Sequence, residues 1–317
     1  MKTLTAAVAV LASIGFMSTG CTTEPEISNH LAILPNHAQT VSLFGDTLFG
    51  PSEPSEAVLA NLTGAEADYL GNPDDPDALI WYGRRLAYAG RNRAAINAYT
   101  DGIEMHPDDA RIYRHRGHRY ITLRMFDEAI ADFEHASHLI EGGEDEVEPD
   151  GAPNAMNIPV SSLHTNIWYH LGLAYYLKDD MENARRGFQA CFDASTNDDM
   201  AVAATHWLYM ILRRLGRDEE AAAVLEPISA EMEIIENMAY HNLALFYKGE
   251  LSEAELTGSD DSTLDYMNVG IAYGLGNWYF YNGDVVRAEE IFRHITSTNS
   301  GWGGFGYIAA EADLSRM

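Results

Sequence analysis

The chain has 317 residues, with 48 Asp and Glu against 20 Lys and Arg, a formal net charge of −28. A surface this acidic repels phosphate, which argues against nucleic-acid binding and against docking on anionic lipid head groups. Apolar types at 46% and aromatics at 10% suffice to bury a core, and two Cys residues are too few for a disulfide framework or a Cys-rich metal site.

Residues 1–20, MKTLTAAVAVLASIGFMSTG, place Lys2 ahead of an apolar run from Leu4 to Met17. That run is shorter than the roughly 20 residues of a membrane span and fits the core of an export signal. No other segment has the apolar length to span. The end, Ser18-Thr19-Gly20-Cys21, resembles a bacterial lipoprotein cleavage box, with Ser18 where such boxes usually carry Leu. The resemblance implies cleavage before Cys21 and lipid on its thiol; a plain secretory signal that leaves a free thiol is the alternative. Thr22 does not look like an inner-membrane retention signal, so the expected place is the periplasmic face of the outer membrane, with the lipid as the sole membrane contact. Residues 21–52 lack helical periodicity and read as a flexible tether with a short ordered piece near Val41–Phe49. Residues 53–72 read as an N-terminal capping helix carrying Leu59, Leu62 and Ala65.

From residue 73 the chain repeats. Pro73 and Pro107, Gly83 and Gly117, Ala95 and Ala129, and Tyr99 and Phe133 are each 34 apart. A large residue, a small one four later and an aromatic or Leu three beyond recur as Leu79, Gly83, Leu86; Tyr113, Gly117, Tyr120; and Trp168, Gly172, Tyr175. Inter-helix turns fall at Gly90, Arg124, Asp179, Gly216, Gly249 and Gly283, in steps of 34, 55, 37, 33 and 34. The fifth repeat is the weakest, its second helix fading at Thr257–Ser262. Cys191 takes the small, packed position of the third repeat's second helix, which predicts an inert buried thiol. The pattern resembles the tetratricopeptide repeat, a 34-residue helix–turn–helix unit. The resemblance implies an all-α, right-handed α-solenoid of about six such repeats over residues 73–300, with a C-terminal capping helix in 301–317. A single helix pair cannot bury its apolar stripe, whereas a stack of pairs can.

One step is longer by 21 residues, and the excess lies at 141–161, EGGEDEVEPDGAPNAMNIPVS, with six acids in its first ten positions. It reads as a solvated insertion or a partner-binding loop; calcium would need carboxylates at a spacing this loop does not match. In the resembled family the concave groove is lined by one stripe of first-helix positions. Carried onto this chain, that stripe supplies a partner-binding groove of Arg84, Tyr88, Arg111, Arg114, His118, Tyr169, Tyr176, Arg213, Tyr273 and Tyr281. Residues 79–125 hold nine Arg and four acids, a local +5 inside a chain of −28. The functional reading is a groove for an acidic or C-terminal carboxylate peptide, held by Arg forks and Tyr rings. The alternative is that these Arg side chains pair with acids of neighbouring repeats.

Catalytic signals are weak. GWGGFG at 301–306 satisfies G-x-G-x-x-G but follows a helix rather than a strand, so its glycines are expected to shape the loop into the last helix. His115 with His118, and His135 with His138, have the i, i+3 spacing of a metal pair but no carboxylate pattern beside them. No catalytic residue, metal or cofactor is assigned. The expected function is a non-catalytic scaffold for a protein or peptide partner. The rivals are a binding protein for a small anion among Arg84, Arg114, His118 and Tyr169, and a metal-dependent enzyme at the His cluster.

Overall fold

Short polar side chains start most of the helices. The computed structural model describes residues 37–258, 268–297 and 301–317; the leader, Cys21 and the first part of the tether lie outside the described residues. Within them, β1 (Ala38–Val41) and β2 (Thr47–Phe49) form an antiparallel hairpin, and α1 (Glu56–Gly71) precedes the repeats. Six helix pairs follow: α2 (Pro76–Tyr88) with α3 (Asn92–Met105), α4 (Ala110–Thr122) with α5 (Phe126–Leu139), α6 (Leu163–Leu177) with α7 (Met181–Ala194), α8 (Asp198–Arg214) with α9 (Asp218–Leu225), α10 (Met238–Lys248) with α11 (Glu253–Thr257), and α12 (Val269–Tyr281) with α13 (Val285–Thr296). Helix α14 (Phe305–Leu314) closes the chain. The first helices of five pairs are capped by Asp75, Asp109, Ser162, Asn197 and Asn268, whose side chains accept first-turn N–H groups, each worth about 1 kcal/mol.

The architecture is the all-α solenoid that the period predicts, and its register is the one the turn residues mark. All six turn positions have positive φ: Gly90 (+73°), Arg124 (+64°), Asp179 (+65°), Gly216 (+70°), Gly249 (+77°) and Gly283 (+91°). Within a pair, a first-helix glycine receives an aromatic ring from the second helix. A Cβ on Gly83 would stand 2.4 Å from the Tyr99 ring, on Gly172 2.8 Å from Phe188, and on Gly276 2.6 Å from Phe292. Each of these rings is fully buried, a gain of about 1.5–3 kcal/mol apiece. Repeats four and five depart from this pattern. Tyr209 and Leu225 replace the glycine–ring pair and share one apolar cluster, α9 has only 8 residues, and α11 only 5. Cys191 is fully buried with its Sγ 3.5 Å from the Thr165 carbonyl, and burial pushes its thiol up to about 12. Among the described residues no helix is long and apolar enough to cross a membrane.

The two ends of the described chain meet. Helix α14 packs on α12 and α13 and reaches across to α6. Its Glu311, wholly buried, accepts from Arg124 Nη2 at 2.5 Å and Nε at 3.1 Å, while its other oxygen takes the Leu43 N–H. Arg124 also donates to the carbonyls of Trp302 at 2.9 Å and Thr122 at 2.6 Å. The hairpin is fixed to the same junction: Thr40 Oγ1 donates to the Leu123 carbonyl at 2.6 Å and Trp302 Nε1 to the Phe49 carbonyl at 2.8 Å. Within the span read as a flexible tether, the short ordered piece expected near Val41–Phe49 is a hairpin that begins at Ala38. There the chain is held by buried hydrogen bonds and belongs to the folded body.

Removing one partner of a buried ion pair strands the other charge, at a cost of about 3–5 kcal/mol. Arg124→Ala should lower the unfolding free energy by about that amount in urea titrations at neutral pH. Arg124→Gly relieves the positive φ and should still destabilise; a variant as stable as wild type would show that the turn, not the ion pair, is what Arg124 serves.

Candidate functional site

In repeats one and two the first helices turn Arg84, Arg85 and Arg114 onto the acidic insertion. The insertion is anchored beside the start of α6. Ser162 Oγ donates to Asp145 Oδ2 at 2.6 Å, and the His164 N–H to Asp145 Oδ1 at 3.0 Å. The chain then runs extended. Leu163 N–H donates to the Glu146 carbonyl at 2.9 Å, Glu148 N–H to the Ser161 carbonyl at 3.0 Å, and Val147 pairs with Ser162 as an antiparallel bridge. Arg84 Nη2 donates to the Pro149 carbonyl at 2.8 Å and Arg85 Nη1 to the Gly151 carbonyl at 2.9 Å. Both guanidinium groups lie over the Trp81 ring, at 4.4 and 5.0 Å. Tyr88 rests on Gly151 so closely that a Cβ there would lie 1.9 Å from its hydroxyl.

The Glu148 carboxylate is the centre of this contact. Its side chain is 11% exposed; it lies 3.1 Å from Arg114 Nε and 3.5 Å from His115 Nε2, and accepts from Asn166 Nδ2 at 2.9 Å. The Arg114–Glu148 approach is an ion pair without hydrogen-bond alignment, since Arg114 Nε has no hydrogen-bond partner. Arg114 Nη1 instead bonds His115 Nδ1 at 2.9 Å. A guanidinium can only donate, so His115 is neutral with its proton on Nε2, facing Glu148. Burial, followed by the Arg114 charge, holds His115 well below the usual imidazole range. Burial also lowers Arg114 itself, with Glu148 opposing the shift and Arg84 adding to it. Arg119, a residue the sequence reading did not single out, is pulled down to about 10 by burial, and donates to Asn92 Oδ1 at 3.4 Å. Arg111 stands apart: it bridges Asp77 and Asp109, each at 2.6 Å, and so ties repeat one to repeat two.

The middle of the concave face is aromatic and largely closed by α14. Phe305 lies 5.2 Å from the His118 ring and 5.4 Å from His170, and those two rings are 4.5 Å apart. Tyr169 accepts from Trp207 Nε1 at 2.8 Å and meets the Tyr240 hydroxyl at 3.2 Å. Tyr176 and Tyr273, expected on the groove, are interior residues, with hydroxyls 2.6 Å apart and almost no exposure. The reason is Asp313 on α14. Tyr273 OH donates to it at 2.8 Å, and Arg214 pairs with both its oxygens at 2.9 and 2.5 Å. Burial is the largest single influence on Asp313 and opposes its charge, but Arg214, Tyr273 and Arg316 together hold the carboxyl below the usual range. Arg213 pairs with Asp218 at 2.9 Å and stacks on Tyr281 at 4.6 Å. Between the insertion, α6, α8 and α10 an opening of about 250 Å³ remains, bordered by Asn166, Tyr169, Glu236, Tyr240 and Phe305.

The structure therefore joins Arg84, Tyr88 and Arg114 in one cradle, places Arg111 at its edge, and distributes the other predicted residues through the aromatic centre and the far repeats. Arg85 and Glu148 were not picked out beforehand. Arg85 is the repeat-one equivalent of Arg119, 34 residues earlier, and that was the available signal. The His pairs split as well: the His135 ring lies tilted against Tyr113 at 4.4 Å and His138 Nδ1 bonds the Glu134 carbonyl at 2.6 Å, both away from the cradle. Among the described residues no three His, Cys, Asp or Glu side chains converge on one point. In the GWGGFG run, Gly301 has a φ of +77° and Gly304 is the residue before α14, so these glycines shape a helix entry.

A tetratricopeptide-repeat model matches residues 165–198, which cover α6 and α7, the third helix pair. No curated protein matches the chain. Solved structures similar to it include YrrB, a TPR protein described with an unusual peptide-binding site (18% identity, TM-score 0.41, 80% of this chain and 99% of that one). Others are a tetratricopeptide repeat protein from Parabacteroides merdae (13%, 0.45, 81% and 92%) and MamA from Desulfovibrio magneticus (16%, 0.41, 53% and 82%).

The buried imidazoles couple stability to pH. Burial holds His170 and His206 down to about 3, and His118 well below its usual range. In the unfolded chain they titrate near 6.5, so between those values the unfolded state binds more protons and stability falls as pH drops. The urea midpoint should decline from pH 6.5 toward pH 4.5, and His170→Phe should make that decline shallower. An unchanged slope in the variant would mean that His170 is protonated in the folded state.

Proposed function

We propose that this protein is a non-catalytic scaffold for a protein partner, exported and held at the periplasmic face of an envelope membrane by lipid on Cys21. The partner engages the concave cradle of Arg84, Arg85, Tyr88 and Arg114. The observation that carries this reading is the way the cradle already holds a chain segment: two Arg groups on main-chain carbonyls and one on a carboxylate. Guanidinium forks spaced along a groove suit an extended backbone with acidic side chains, and that chemistry transfers directly to a partner. The matched helical repeat supports protein binding as the general role. The Cys21 anchor is supported by the leader and the small residues before it. A non-catalytic role is supported by the state of the reactive side chains: the Cys191 thiol is buried and pushed up to about 12, and His115, His118, His170 and His206 are held neutral inside the fold.

Crosslinking and capture from source membranes tests the reading. Wild type should enrich a specific protein that an Arg84/Arg85/Arg114→Ala variant loses, with binding that weakens as salt is raised. Equal enrichment by both proteins would move the partner to another face. In the same cells Cys21→Ser should leave the membrane fraction for the soluble one; a variant that still pellets with membranes would remove the lipid anchor from the proposal.

A further inference from the structure

We infer that residues 146–151 are a built-in occupant of the cradle, and that the partner segment it stands in for is an internal, extended acidic strand rather than a free C-terminus. The inference rests on the scaffold reading above and says what that scaffold recognises.

Three observations carry it. The first is the mode of grip. Arg84 and Arg85 hold the carbonyls of Pro149 and Gly151, two groups of a continuous chain. The single carboxylate in the cradle is the side chain of Glu148, reached by Arg114, His115 and Asn166. Nothing in this arrangement requires a chain end, and the strand enters along Ser161–Leu163 by backbone pairing, as an added β-strand does.

The second is charge balance. Arg84, Arg85 and Arg114 contact the segment, with Arg119 behind them on α4, whereas Glu148 is the acid of the segment paired there. Among the described residues Asp150 Oδ2 is buried without a hydrogen-bond partner, and Arg114 Nε is misaligned with Glu148. The insertion fits the cradle and leaves part of its hydrogen-bonding capacity unused, so a strand with a second well-placed acid would hold better.

The third is construction. The segment belongs to the stretch by which this chain exceeds its 34-residue period, so the repeats do not need it to stack. Val147, inside it, is 68% exposed, and the backbone pairing that fixes it is confined to Glu146, Glu148 and their partners at Ser161 and Leu163. An occupant linked in this way competes at an effective concentration of about millimolar, which a partner must exceed by affinity or by number of contacts.

The test uses the full chain and a defined probe: a fluorescent, C-terminally amidated peptide of residues 144–153, EDEVEPDGAP. A variant with residues 144–155 replaced by Gly-Ser-Gly-Ser should bind this peptide at least tenfold more tightly than wild type does. Adding Arg84→Ala and Arg85→Ala to it should abolish the binding. If that replacement perturbs folding, Glu148→Ala in the otherwise intact chain gives a second reading. It should raise peptide affinity and speed hydrogen exchange over residues 146–151 at least tenfold. Wild type binding as tightly as both variants would overturn the inference, as would a folded replacement variant that binds no peptide. Should the peptide fail while capture from membranes still depends on the cradle arginines, the scaffold reading stands and only the built-in occupant falls.

Discussion

The buried pair of Arg124 and Glu311 decides what the concave face of this solenoid can be. It joins the turn of the second repeat to the last helix, and through the Leu43 N–H it holds the hairpin as well. An open stack of helix pairs would leave its inner surface free from end to end. Here α14 is drawn across the middle of that surface, and Phe305 is set among His118, Tyr169 and His170. The aromatic stripe becomes interior packing, and the basic end, where Arg84, Arg85 and Arg114 meet the insertion, is the part the proposed partner would use. The interaction also accounts for the turn itself. Arg124 stands at a position where four of the six repeats use Gly, and accepts a φ of +64° because its guanidinium is needed at Glu311.

What was legible in the sequence is what repeats. The spacing from Gly83 to Tyr99, and from Gly172 to Phe188, is a packing constraint imposed once per pair, so it leaves a periodic trace. The position of Cys191 follows from the same register. Polar pairing across the fold leaves no such trace. Glu148 meets Arg114 from 34 residues away, in a loop with no register of its own, and Asp313 reaches Arg214 from 99. Tyr273 reaches Asp313 and Tyr176 reaches Tyr273 through their hydroxyls, so a stripe assigned by repeat position places them on a surface they do not reach. The hairpin is similar: a four-residue and a three-residue strand, too short for a clear alternation, become ordered through Leu123, Trp302 and Glu311.

If the cradle binds an acidic strand as proposed, the charge distribution sets its selectivity. With the chain at −28, an acidic partner approaches against the long-range field, which is screened over roughly 8–10 Å at physiological salt. The attraction belongs to the groove alone, at contact distance, where burial has already lowered Arg114 and Arg119 below their usual range. Desolvated guanidinium groups hold an aligned carboxylate strongly and a misaligned one poorly, so selection depends on the spacing of acids along the strand. An arrangement of this kind favours specificity over speed of encounter. On the proposed reading the same charges account for the segment in the cradle: Arg84 and Arg114 repel one another, and Glu148 offsets that repulsion and would have to be displaced by a partner.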